Sequence, residues 1–246
     1  MSQNVLSVRN VSKRYKNGRG VFDIDFTLEE GEVFGLLGSN GAGKTTVMKM
    51  ITGLLRPDSG EISVLDKDLF EMPEEALYEV GALIENPSFY PYLSAKENLC
   101  LAADYYKNKA LGDAWITNVL EKVGLLPYQK ERTANFSLGM KQRLGIALAM
   151  VSRPNLYILD EPSNGLDIEG RVEVRKIIQG IAREGNASFL ISSHLSEEIE
   201  KTCTTVGIMK EGRLCTIEKM DKILSQYPNL EQYYLKQIGV GESLAS

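Results

Sequence analysis

The stretch of this sequence best suited to chemistry is Gly38-Ser39-Asn40-Gly41-Ala42-Gly43-Lys44-Thr45-Thr46. Its Gly-x-x-x-x-Gly-Lys-Thr pattern turns backbone N–H groups toward phosphate oxygens, and the glycines let the chain come close to them. Lys44 would then reach the β- and γ-phosphates of a nucleotide, and the Thr45 hydroxyl would ligate Mg²⁺. A plainer reading, a glycine-rich turn with a solvated lysine, is disfavoured by the length of the pattern and by what flanks it.

Adjacent carboxylates, Asp160-Glu161, close the apolar run Leu156-Tyr157-Ile158-Leu159. Two acids at a buried strand end repel each other unless a cation or a proton compensates, and Mg²⁺ is the economical compensation. Asp160 would then hold the metal shell while Glu161 orients or deprotonates water. The alternative is a pair of exposed acids starting a loop. His194 is the only histidine, which removes multi-histidine metal sites and histidine relays from consideration. It follows the β candidate Ala187-Ser188-Phe189-Leu190-Ile191, and beside the acid-bearing strand it would contact a γ-phosphate.

Three further positions say little alone. Ser137-Leu138-Gly139 opens a helical stretch, where a hydroxyl and free N–H groups suit an anion or simply cap the helix. Tyr15 offers a ring face on which a base could stack, or an ordinary packing surface. Asp167 closes the turn Ser163-Asn164-Gly165-Leu166 with one more acid.

The elements that must hold these residues are legible in outline. Val33-Phe34-Gly35-Leu36-Leu37 reads as a buried strand, and Val47, Met50, Ile51 and Leu54 repeat at helical spacing after the loop, giving strand, loop, helix. Val5 to Arg9 is a strand, and Phe22 to Leu28 alternates as a half-buried antiparallel strand does. Arg56 to Gly60 is a turn before a strand from Glu61 to Leu65, and Gly81 to Ile84 ends another strand. Ser94 with Glu97 forms a capping box opening a helix to about Tyr106, and Ile116, Val119, Leu120 and Val123 mark a helix ended by Gly124. An apolar helical run from Leu144 to Val151 stops before Pro154. Lys210-Glu211-Gly212-Arg213 is a hairpin signal, and Leu230 to about Ile238 a final helix. The expectation is an α/β chain of 246 residues with a helical insertion.

At 43% hydrophobic residues the chain can bury a core, and a formal charge of −5 argues against a broad basic surface for nucleic acid. Cys100, Cys203 and Cys215 lack paired spacing, which points to reduced structural thiols. No apolar run reaches the roughly 18 residues of a membrane span. A membrane role would come through a partner.

Taken together, these motifs resemble the ATP-binding-cassette (ABC) ATPases from about Val5 to Gly239. The loop and Asp160-Glu161 match that family's Walker A and Walker B elements, and Phe136-Ser137-Leu138-Gly139-Met140 its signature in a diverged form. The resemblance implies a P-loop NTPase fold of ABC type: a mixed-sheet core with an antiparallel β subdomain (1–86 and 151–225), an inserted helical subdomain (87–150), and a C-terminal helix and tail (226–246). It implies Tyr15 as the adenine-stacking aromatic, Gly38 to Thr46 as the nucleotide cradle, and Lys44, Glu161 and His194 as catalytic. Asp167 would be the D-loop acid, with Mg²⁺ held by Thr45 and Asp160. Glu85 stands where the family usually has glutamine, at the coupling loop, and it could join the metal. The Ile84-Glu85-Asn86-Pro87 form looks like the ATPase subunits of exporters for bacitracin and lantibiotics. The implied partners are ATP, Mg²⁺, a second copy or a paralogous cassette whose site Ser137 and Gly139 would complete, and a membrane permease docked near Glu85 to Tyr92. The implied location is the inner face of the cell membrane. A soluble ABC ATPase acting on nucleic acid or ribosomes is the rival, but its long coiled coils or paired cassettes are not in this sequence. A P-loop kinase or GTPase lacks a counterpart for the signature.

Overall fold

Alternation in β2 (Gly20–Glu29) buries Ile24, Phe26 and Leu28 and exposes Asp23, Asp25 and Thr27, as a strand with one wet face requires. The computed structural model describes residues 4–106, 112–184 and 187–239. β2 pairs antiparallel with β1 (Asn4–Arg14), and β1 pairs antiparallel with β4 (Ser59–Val64). β4 turns through Leu65 and Asp66, both at positive φ, into the short β5 (Lys67–Asp68). β1 runs past the predicted end at Arg9. A register shift between Val8 and Val11, with Asn10 at φ 48°, bulges the strand and lets pairing resume to Arg14. This extension carries Tyr15 to the helix that follows the phosphate loop.

Among the described residues the second sheet has six strands. These are β3 (Val33–Leu37), β6 (Val80–Leu83), β7 (Leu156–Asp160), β8 (Ser188–Ser193), β9 (Thr205–Lys210) and β10 (Arg213–Lys219), in the order β10-β9-β3-β8-β7-β6. All neighbours are parallel except the β9–β10 hairpin. The mixed sheet, the antiparallel sheet and the adjacency of the histidine and acid strands all agree with the sequence. Parallel pairing also brings the C-terminal ends of β3, β7 and β8 to one edge, the place where open α/β sheets bind ligands.

Side chains of β3 divide the core. Phe34 and Leu36 enter a cluster with Val47, Met48 and Ile51 of α1 (Lys44–Ile51) and with the antiparallel sheet. Val33 and Leu37 belong to the other cluster, which includes Ile199 and Cys203 and extends to α3 (Ala95–Tyr105), α4 (Asp113–Lys122) and α5 (Leu138–Met150). The Ser94–Glu97 capping box is formed as predicted, and between residues 87 and 150 no named strand occurs among the described residues.

Helix α1 ends earlier than expected. Gly53 takes φ 72° and stops it after Ile51, leaving Leu54 67% exposed instead of on the buried face. The sequence motifs also passed over α6 (Ile168–Glu184), although Val174, Ile177, Ile178 and Ile181 bury one helical stripe. The short helices α2 (Pro73–Leu77), α7 (Ser196–Thr202) and α8 (Met220–Gln226) give weaker patterns, and α9 (Leu230–Gln237) lies where predicted.

Glu32, buried at the start of β3, binds the two sheet edges together. It accepts from the Glu29 N–H at 3.0 Å, from Lys219 Nζ at 2.7 Å and from the Thr205 hydroxyl. Burial pushes its pKa up, but the Glu29 N–H, Lys219 and Thr205 outweigh that and hold it below the usual carboxylate value. A depressed folded pKa stabilises above the unfolded value and is lost as pH falls through the folded one. Glu32→Gln should therefore cost about 2 kcal/mol at neutral pH. In urea titrations this difference should shrink below about pH 4.

Candidate active site

The loop from β3 into α1 is shaped by close backbone approaches. A Cβ on Gly38 would sit 2.6 Å from the Met209 carbonyl, and Gly43, at φ 107°, occupies a region that side chains disfavour. Gly43 is the N-cap of α1 and supplies no side-chain hydrogen bond. The first-turn N–H groups of Lys44, Thr45 and Thr46 therefore lie free at the positive end of the helix, a ready anion site. Gly38 and Ala42 act differently, since their N–H groups donate to Ser193 O and Ser39 O, and Ala42 is buried. They hold the loop's shape.

Lys44 is 5% exposed and donates to the carbonyls of Gly38 at 2.8 Å and Ser39 at 3.3 Å. Its Nζ also lies 3.1 Å from Glu161 Oε1. The other oxygen of that carboxylate, Oε2, meets His194 Nδ1 at 2.7 Å. Glu161 thus stands between the loop lysine and the lone histidine, in the left-handed region at φ 49°. Such strain in a non-glycine residue is characteristic of functional sites.

Asp160 is only 2% exposed. Ser192, opposite it in the β7–β8 register, donates to Asp160 Oδ1 at 2.6 Å and accepts from the Glu161 N–H at 2.9 Å. Sequence reasoning missed Ser192, since a serine two residues before His194 carries no signal until the register is known.

A cavity of about 660 Å³ joins these parts, a size suited to a small ligand. Its walls include Asn40, Gly41, Gly43 to Thr46, Asp160 and Glu161, with Glu85, Asn86, Leu138, Gln142, Asn164 and Gly165 opposite or beside them. Ser39 lies exposed at the loop tip. Tyr15 is outside the lining but near it, 41% exposed, its hydroxyl 3.4 Å from Thr46 Oγ1. Residues 21–164 match the family model described as ABC transporter.

The chain belongs to the ABC transporter family. It is 41% identical over 213 residues to the bacitracin transport ATP-binding protein BcrA of Bacillus licheniformis, covering 85% of this chain and 68% of that one. It is 36% identical over 234 residues to the lantibiotic transport ATP-binding protein SrtF of Streptococcus pyogenes, covering 95% and 97%. A solved structure of an ATP-binding subunit of an ABC transporter superposes with a TM-score of 0.83 at 31% identity, over 95% of this chain and 99% of that one. The protein is an ABC ATPase, the ATP-binding subunit of such a transporter. ATPases of this family dimerise and work with membrane permease subunits. No helix among the described residues is long and apolar enough to cross a membrane.

Within this ABC ATPase the signature residues separate. Phe136 is buried in the core and Met140 packs against it. The Ser137 hydroxyl caps α5 by accepting from the Met140 N–H at 3.3 Å. Ser137 and Gly139 open on a neighbouring groove with Asp167, while only Leu138 of this segment also lines the cavity beside the glycine-rich loop. Asp167 caps α6, accepting from the Gly170 N–H at 2.8 Å. Glu85, at φ 59°, is largely exposed and paired with Lys49 Nζ at 2.7 Å. That hydrogen bond holds the Lys49 ammonium above the usual lysine range. The negative charge of Glu85 is therefore balanced by a cation on α1.

Thr45 and Asp160 line the same cavity with a hydroxyl and a carboxylate. These hard oxygen donors suit Mg²⁺, which takes one or two protein ligands and completes its shell with phosphate oxygens and water.

Proposed function

We propose that this chain powers the export of a peptide antibiotic of the bacitracin or lantibiotic kind through a separate membrane permease. The reading of the reaction is carried by one observation: the Glu161 carboxylate is held between Lys44 and His194 at the mouth of the phosphate loop. Glu161 orients and deprotonates a water for in-line attack on the γ-phosphate of ATP. Lys44 leaves the carbonyls of Gly38 and Ser39 to neutralise charge on the transferred phosphoryl group, and His194 holds the γ-phosphate. Mg²⁺, bound through Thr45 and Asp160, would neutralise phosphate charge. Glu85 lies at the rim of that site, tied to Lys49. Tyr15 stacks on the adenine, anchored through its hydroxyl to Thr46.

Ser137 and Gly139 face a groove of their own, shared with Asp167. This supports a sandwich in which they complete the site of a second copy or a paralogous cassette. ATP would draw the two together and hydrolysis would part them, a cycle a permease can follow. The segment from Glu85 to Tyr92, with Tyr90 and Tyr92 exposed, is the docking surface, and α3 to α5 form the helical subdomain that presents it. The protein would then work at the inner face of the cell membrane. The antibiotic cargo follows from the 36–41% identity to SrtF and BcrA.

The experiment is to tag the chain in its native cell, extract membranes in mild detergent and identify copurifying proteins by mass spectrometry. A polytopic membrane protein should be recovered, and deleting its gene should sensitise the cell to a peptide antibiotic. Recovery from cytosol alone, with ribosomal or DNA-bound proteins, would overturn the exporter reading while leaving the ATPase intact.

A further inference from the structure

Ser192 follows the apolar run Phe189-Leu190-Ile191 of β8. β8 presents Phe189, Leu190 and Ile191 to the core, and then a hydroxyl at a position with no solvent exposure. A buried hydroxyl costs free energy unless its hydrogen bonds are made. Here both are made, and both go to the acid pair: the proton to Asp160 Oδ1 at 2.6 Å, a lone pair to the Glu161 N–H at 2.9 Å. Because a carboxylate only accepts and an N–H only donates, the direction of each bond is fixed.

We propose that Ser192 is a positioning residue for the hydrolytic reaction, orienting Asp160 for the metal and fixing the backbone from which Glu161 reaches the water. Its bond to Asp160 Oδ1 holds the carboxylate in one orientation, from which it would serve a hard cation. Its bond to the Glu161 N–H secures a residue held at φ 49°, a conformation that side-chain-bearing residues rarely adopt. The same strand end supplies the Ser193 carbonyl to the Gly38 N–H and His194 Nδ1 to Glu161 Oε2. Three consecutive residues of one chain segment therefore set the phosphate loop, the metal carboxylate and the base relative to one another. Ser192 is the member that touches both acids.

This inference rests on Asp160 as a Mg²⁺ ligand, and the test separates the two. Mn²⁺ affinity is measured by electron paramagnetic resonance for the full chain with a non-hydrolysable ATP analogue, in wild type, Ser192→Ala, Ser192→Cys, Ser192→Thr and Asp160→Asn. Loss of an outer-shell partner typically weakens metal binding about 10–100-fold. Ser192→Ala should therefore lose about tenfold or more, Ser192→Thr should recover most of it, and Ser192→Cys, with its weak S–H donor, should fall between. Circular dichroism confirms folding, and the Cys variant carries the test if Ala does not fold. Asp160→Asn losing Mn²⁺ while Ser192→Ala and Ser192→Cys stay within about twofold of wild type would overturn the role of Ser192. Asp160→Asn binding Mn²⁺ like wild type would overturn the metal assignment beneath it.

Discussion

Replacing Glu161 with glutamine should lower the ATPase rate by about 10²–10⁴, the range a positioned general base supplies, while ATP still binds. Glutamine keeps the size and one acceptor oxygen but cannot take a proton, so substrate is held and the water is not activated. Lys44 loses its anionic partner at 3.1 Å, which leaves its ammonium more available to phosphate. The expected result is an ATP-bound species that persists. In the sandwich arrangement it elutes as a dimer with ATP and as a monomer without. Single-turnover kinetics and light scattering on the same sample read both halves. A monomer that stays monomeric with ATP would count against the sandwich, and turnover within a few-fold of wild type would remove Glu161 from the role of base.

Lys44→Ala should have a comparable effect for a different reason. The lysine is buried, and it links the carbonyls of Gly38 and Ser39 to the Glu161 carboxylate. Removing one preorganised charge donor from a phosphoryl-transfer site costs about 10²–10³ in rate, and in the proposed reading the ground state suffers too, because the same ammonium would meet the β- and γ-phosphates. Fluorescent-nucleotide titration should show weakened binding of ATP, with ADP affected less. Equal losses for both nucleotides would mean that Lys44 serves the loop's shape and not the γ-phosphate. The variant should also be less stable without nucleotide, since the Glu161 carboxylate then keeps His194 but loses its cation at 3.1 Å.

The local signals were the readable ones. The phosphate loop, the acid-bearing strand, the Ser94–Glu97 box and the alternation in β2 each depend on residues within one element, where periodicity and backbone chemistry act directly. Errors fell at boundaries. Leu54 fits the helical repeat of α1, but Gly53 ends the helix first, and Arg9 looked like the end of β1 because a bulge breaks the period there. Helix α6 has a clear apolar stripe, but motifs with stronger signals flank it on both sides.

By itself, the sequence determined that a glycine-rich loop lies between a buried strand and a helix, which acids close the neighbouring strand, and which histidine is available. Those are consequences of residue type and short spacing. Only the tertiary structure decided that Ser192 serves both acids, that Glu161 is shared between Lys44 and His194, that Glu85 is balanced by Lys49, and that Leu138 alone of the signature segment lines the chain's own cavity. The contacts of Ser192 with the acids and of Glu161 with Lys44 and His194 join distant parts of the chain through the order and register of parallel strands, with β8 set between β3 and β7. A shift of one residue in that register would turn Ser192 away from Asp160. No spacing within a single element encodes it.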